Sequence, residues 1–92
     1  PEIIKMNFSI EKAAEKDIPA IIELMREFAA YENMLEYLEI TEEKLFRAMF
    51  GEKAFVKGLI ASDGEKPVAY ALFYPHFASF RGEFSVYLED IY

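Results

Sequence analysis

A chain of 92 residues, 53% apolar and 16% aromatic, has core material for one small domain or part of a larger one, which excludes a disordered chain. Its formal charge of −7, from ten Lys and Arg against seventeen Asp and Glu, argues against nucleic acid, whose binding rests on neutralising phosphates. The absence of Cys excludes a disulfide framework, a thiolate zinc site and a Cys nucleophile and fits a reducing cytoplasm, and no apolar run reaches the roughly 18–20 residues that span a bilayer.

The opening "PEIIKMNFSI" lacks the continuous apolar stretch of a signal peptide. In "MNFSIEKA", Met6, Phe8 and Ile10 alternate with polar neighbours, which predicts a half-buried strand. "DIPAIIELMREFAAYE" predicts a helix. Asp17 stands where a cap would be, Pro19 falls in the first turn, and Ile18, Ile21, Ile22, Met25, Phe28 and Ala29 follow at helical spacing. "NMLEYLEI" is too short for a domain and too apolar for an idle loop, so it is expected to cover something. "TEEKLFRAMFG" predicts a second helix, with Thr41 as cap, Glu42 and Glu43 at the positive end of the dipole, Gly51 as terminator, and Leu45, Met49 and Phe46 as its stripe.

Strands fill the rest. "FVKGLIAS" runs into "SDGEKP", a turn built on Asp63 and Gly64. "VAYALFYPH" is nearly all apolar, as a strand buried on both faces would be, with Pro75 marking its end or a bulge. A loop around Ser79 and Gly82 leads into "EFSVYLEDIY". The order strand, helix, helix, strand, strand, strand predicts an α+β domain with an antiparallel meander.

Few residues offer chemistry of a familiar kind. Gly51, Gly58, Gly64 and Gly82 are scattered and make no phosphate-cradling loop. His76, the only histidine, has no evident partner for base catalysis, and no His or Cys joins the carboxylates at metal-ligand spacing. Two acidic groups stand out. Tyr31, Glu32, Glu36 and Glu39 gather at the first helix's C-terminus, where the dipole disfavours acids; they are either a solvated helix end or a site for an amine. In the last strand, strict alternation puts Phe84, Val86, Leu88 and Asp90 on one face, and Ser85, Tyr87, Glu89 and Ile91 on the other. Glu89 and Asp90 are then either acids at the strand's exposed end or carboxylates whose apolar neighbours raise their pKa toward that of a working base. The net charge likewise serves solubility or draws cationic small molecules.

The order of elements, with "YEN" after the first helix, "ITEEKLFRAMFGEKAF" after that and "ALFYPHFASFRGEFSVYLEDIY" at the end, resembles the GNAT acetyltransferases. Within them the chain is most similar to the spermidine/spermine (diamine) acetyltransferase group, from about Phe8 to Tyr92 and over the family's N-terminal half only. "YLED" after an aromatic-rich strand is the most specific element.

The resemblance implies an α+β fold, the N-terminal half of a GNAT fold in the order β-α-α-β-β-β, with residues 1–92 as the N-terminal portion of one acetyltransferase domain. It implies acetyl transfer from acetyl-CoA, as co-substrate, to a primary amine of a diamine, polyamine or related small molecule. Glu89 is expected to help deprotonate the ammonium. Asp90, Tyr31 and Glu32 are expected around the amine, with Glu36 beside them, and Ile91 and Tyr92 along the strand edge that receives the acetyl carbonyl and pantetheine. The family's R-x-x-G-x-G/A pyrophosphate loop and its thiolate-protonating Tyr come after the acidic pair and are missing from this sequence. Glu11 stands where Arg is frequent. These residues alone are therefore expected to be inert, to sit in the cytoplasm, to bind neither nucleic acid nor membrane, and to self-associate, as homodimers or swapped assemblies, through the open edge of the last strand. The alternative is a non-catalytic binding or oligomerisation module that retains only the amine-binding half.

Overall fold

The computed structural model describes residues 8–92, in the order β1 (Phe8–Lys12), α1 (Ile18–Tyr31), α2 (Glu42–Phe50), β2 (Lys57–Asp63), β3 (Lys66–Ala78) and β4 (Glu83–Ile91). Short 3₁₀ turns occupy Glu15–Asp17 and Leu35–Tyr37. The four strands form one sheet in the order β1-β2-β3-β4, every neighbouring pair antiparallel. This is the expected α+β arrangement.

The first helix starts differently from its predicted cap. Asp17 continues the 3₁₀ turn with φ −88° and ψ −9°, so its carboxylate turns back and accepts the Ala14 N–H at 2.8 Å instead of capping α1. Pro19 sits in the first turn, as expected. The helix stops where Asn33 adopts the left-handed region (φ 57°), and the Met34 N–H reaches back to the Ala29 carbonyl at 2.7 Å. Asn tolerates this conformation better than most residues with a Cβ.

In α2, the Thr41 hydroxyl accepts the Lys44 N–H at 3.1 Å, and the Gly51 N–H closes on the Arg47 carbonyl. Thr41→Ala is expected to cost about 1 kcal/mol of stability, read as a lowered urea midpoint with unchanged slope. A shift indistinguishable from zero would show that the cap contributes nothing.

Ile18, Ile21, Ile22, Leu24 and Met25 of α1, Leu45 and Met49 of α2, and Ile60, Tyr70 and Leu72 of the sheet make the core. Phe46, assigned to the α2 stripe by its spacing, is exposed instead. Gly58 allows the helices this close to the sheet, because a Cβ there would lie 2.8 Å from Met49 Cε. Phe28 and Ala29, also expected in the core, are only partly covered.

The sheet departs from expectation in three places. Met6, which the alternation assigns to β1, lies outside the described residues, and the Phe8 and Ile10 side chains are exposed rather than half-buried. Cross-strand register puts Ile10 beside Ala61 and Ala69, on the face opposite Ile60 and Tyr70, and the helices cover only the latter face. For the same reason β3 is not buried on both faces. Tyr70 and Leu72 are covered, but Ala71 and Phe73, on the other side, are partly open. Pro75 neither ends β3 nor bulges it. It lies beyond Phe73, the last β3 residue paired with β2, so its missing N–H deprives β2 of no bond.

The third departure matters most for the site. Phe73 pairs with Leu88, but the preceding Leu72 pairs with Asp90, so Glu89 is the extra residue of a β-bulge. The strict alternation read through β4 therefore breaks at Glu89. Asp90 shares a face with Leu72 and the helices, and Ile91, rather than Asp90, continues the outer face of Phe84, Val86 and Leu88.

Candidate active site

A cavity of about 520 Å³ opens between the C-terminal end of α1, the segment after it, α2 and the helix-facing side of β3 and β4. "NMLEYLEI" does cover something, because Met34, Tyr37, Leu38 and Ile40 form part of this wall. Met25, Phe28, Ala29, Leu45 and Ala48 come from the helices, Phe55 and Val56 from the approach to β2, and Tyr70, Leu72 and Tyr74 from β3. Three ionisable acids complete the lining: Glu32, Glu89 and Asp90.

The two acids of β4 reach one cavity only because of the bulge. In an unbroken strand, neighbours point to opposite faces. The inserted residue at Glu89 brings both carboxylates into the same lining. Glu32 arrives from the end of α1, where its own N–H caps back onto the Phe28 carbonyl at 3.0 Å. Among the described residues no Lys or Arg lines the cavity, and the ion pairs there, Arg47–Glu43 and Arg81–Glu83, involve none of the three. A largely apolar hollow lined by carboxylates attracts a cation that also carries hydrocarbon.

The other expected contacts fall elsewhere. Tyr31 is exposed and does not line the cavity, and Glu36 lines a separate shallow depression with Ala30, Asn33 and Leu35. Tyr31, in the last turn of α1, turns to solvent at 79% exposure, whereas Glu32, at the cap just past that turn, faces the cavity. The first acidic group thus divides, with only Glu32 facing the acids of β4.

Tyr92 pairs with Tyr70 through two backbone hydrogen bonds, 3.1 and 3.0 Å, and its ring stacks on Phe28 with centroids 5.1 Å apart. Both of its backbone groups are thereby used on the β3 side. Antiparallel pairing alternates, so the N–H and C=O of Ile91, opposite Ala71, point toward the open edge of β4. Of the two residues expected along a donor-binding edge, Ile91 is the one whose backbone groups have no partner among the described residues.

Aromatic side chains give the site a frame that spacing did not reveal. Tyr74 stacks on Tyr87 across the two strands at 5.1 Å and meets Phe55 edge-on at 5.9 Å. Burial, then Tyr87 and the Glu89 carboxylate, push the Tyr74 hydroxyl above its ordinary pKa. The Tyr70 hydroxyl donates to Asp90 Oδ2 at 3.3 Å, and burial, followed by that carboxylate, holds the phenol well above its ordinary value. The signal for these partners lay in hairpin register: Tyr74 opposes Tyr87, and Leu72 opposes Asp90.

No family model matches the chain. In sequence it is 39% identical to the human (Homo sapiens) spermidine/spermine N(1)-acetyltransferase-like protein 1, over 92% of this chain and 13% of that protein. It is 36% identical to the thialysine N-epsilon-acetyltransferase of Bos taurus, over 90% of this chain and 53% of that enzyme. The chain thus spans about half the length of the thialysine enzymes it matches, and a smaller share of the human protein. In structure, an aminoglycoside acetyltransferase from an uncultured soil metagenomic sample, solved with sisomicin, superposes with a TM-score of 0.72 at 23% identity, covering 94% of this chain and 55% of that one. The ribosomal-protein-alanine N-acetyltransferase of Brucella melitensis biovar Abortus 2308 gives a TM-score of 0.64 at 16% identity, over 92% and 56% of the two chains.

Proposed function

The homologues of this chain are spermidine/spermine and thialysine N-acetyltransferases and its fold is that of the GNAT acetyltransferases, and from that footing we propose that it supplies the amine-binding part of an enzyme moving an acetyl group from acetyl-CoA to a primary amine. The observation that carries this reading is the convergence of Glu32, Glu89 and Asp90 on one apolar and aromatic cavity with no cation in its lining among the described residues. Spermidine, spermine, thialysine and the aminoglycosides, the compounds in the relatives' names, all bear primary amines that are protonated at neutral pH. A diamine, polyamine or thialysine-like amine suits this cavity, its ammonium groups meeting carboxylates and its methylenes meeting rings.

An ammonium ion has no lone pair, so it must lose a proton before it can attack a thioester. We assign that proton to Glu89, directly or through one water, because Glu89 projects into the cavity from the bulge beside the β4 edge. Asp90 and Glu32 draw in and hold the charged substrate. Acetyl-CoA supplies the activated acyl group: the amine nitrogen bonds to the acetyl carbon, the carbon–sulfur bond breaks, and the sulfur leaves with its electron pair. The backbone N–H of Ile91, open at the edge, is suited to bond the acetyl carbonyl oxygen as its charge develops. The scattered glycines of this chain offer no cradle for the donor's pyrophosphate. A reducing cytoplasm accords with the cysteine-free sequence.

The test is thiol release by the full-length protein incubated with acetyl-CoA and a linear diamine, with the matched neutral diol as control. Release with the diamine and none with the diol is the expected outcome. Salt-sensitive diamine binding without thiol release would favour a non-catalytic binding module, and no diamine binding at low salt would overturn the assignment of the cavity.

A further inference from the structure

Tyr70 is the only residue of the buried core, among the described residues, whose side chain carries a hydrogen-bond donor. It is 2% exposed, anchored by two backbone bonds to Tyr92 and flanked by the Tyr92 ring. For packing alone, Phe would fill this place without bringing a hydroxyl into the core, and a buried phenol oxygen needs a partner. Its partner is Asp90 Oδ2, at 3.3 Å. Asp90 in turn follows the bulge, where the ladder is least regular, and among the described residues no Lys or Arg forms an ion pair with it.

We infer that Tyr70 is a positioning residue, which fixes the Asp90 carboxylate so that its other oxygen is presented to the ammonium group in the cavity. This rests on the reading of the cavity as an amine site. One O–H can engage only one of the two carboxylate oxygens, and the bond to Oδ2 leaves Oδ1 available. A neutral donor suits the task better than a cation. Arg or Lys at this point would orient the carboxylate equally well but would cancel the charge that attracts the amine, whereas a phenol holds the group and leaves its charge intact. The elevated pKa of this phenol agrees with the assignment, because the donor then stays protonated across the range in which amines are acetylated.

The experiment compares Tyr70→Phe, Asp90→Asn and the double variant in the full-length protein, reading kcat and KM for a diamine across pH. Tyr70→Phe removes one oxygen and keeps the ring, so thermal unfolding should remain cooperative and serves as the control for folding. The expected result for Tyr70→Phe is a KM raised roughly tenfold with kcat changed less than about twofold, in keeping with a hydrogen bond to a charged group. Asp90→Asn should raise KM at least as much, and adding Tyr70→Phe to it should change nothing further. A normal KM in Tyr70→Phe, or an equal loss with and without Asp90, would overturn the positioning role and leave the amine site standing. A normal KM in Asp90→Asn would overturn the role of Asp90 in amine binding, and the inference with it.

Discussion

Glu89→Gln in the full-length protein is expected to lower kcat for amine acetylation by roughly a hundred- to ten-thousandfold at neutral pH, the usual contribution of a positioned base. KM should change far less, because Glu32 and Asp90 still provide charge in the same cavity. The deficit should shrink as pH rises toward the pKa of the amine, about 10 for an alkyl ammonium such as Lys. There the substrate supplies its own free lone pair and the base becomes redundant. The measurement is a pH series of kcat for the two proteins. A parallel loss at every pH would mean that Glu89 acts through charge or geometry, and unchanged turnover throughout would remove it from the chemistry.

Ile21→Ala should have the largest effect on stability. Ile21 is 0% exposed, in the core cluster that α1, α2 and the sheet share. Removing its outer methyl groups forfeits transfer energy and leaves a cavity, for a cost of about 2–5 kcal/mol. A small domain has only about 5–15 kcal/mol in total, so the variant should approach the threshold of unfolding at ordinary temperature. Urea titration gives the difference directly. Ile10→Ala is the matched control: Ile10 is 71% exposed on the uncovered face of β1, and its loss should fall within about 0.5 kcal/mol. Equal costs at the two positions would mean that the core is not organised around α1.

That contrast also separates what was legible in the sequence from what was not. Ile18, Ile21, Ile22 and Met25 recur at helical spacing, a property of the chain alone, and they are buried where α1 meets the sheet. Met6, Phe8 and Ile10 alternate just as clearly, but alternation says only that two faces differ, and not which face a helix will cover. Both helices lie against the face of Ile60 and Tyr70, so Phe8 and Ile10 are left outside. The nearly continuous apolar run of β3 misleads in the same way. A nearly unbroken apolar run implies burial on both sides, but only one side is covered among the described residues.

The site divides along similar lines. Two adjacent acids in "YLED" and an acid at an unfavourable helix end were visible as oddities, because their cost is local: a dipole in one case and apolar neighbours in the other. The rings that frame them were not. Tyr70 reaches Asp90, and Tyr74 reaches Tyr87, across a hairpin whose register depends on its turn and its bulge.

By itself, then, the sequence determined the elements, the principal helical core and the acidic character of the two segments that meet at the cavity, since each follows from spacing and charge along the chain. Tertiary structure decided which acids meet. A strand pattern of period two sends Glu89 and Asp90 to opposite faces, and nothing in residues 83–91 alone requires otherwise. The bulge exists in the pairing of β4 with β3, where Phe73 takes Leu88 and Leu72 takes Asp90, and that single inserted residue brings both carboxylates into one cavity with Glu32.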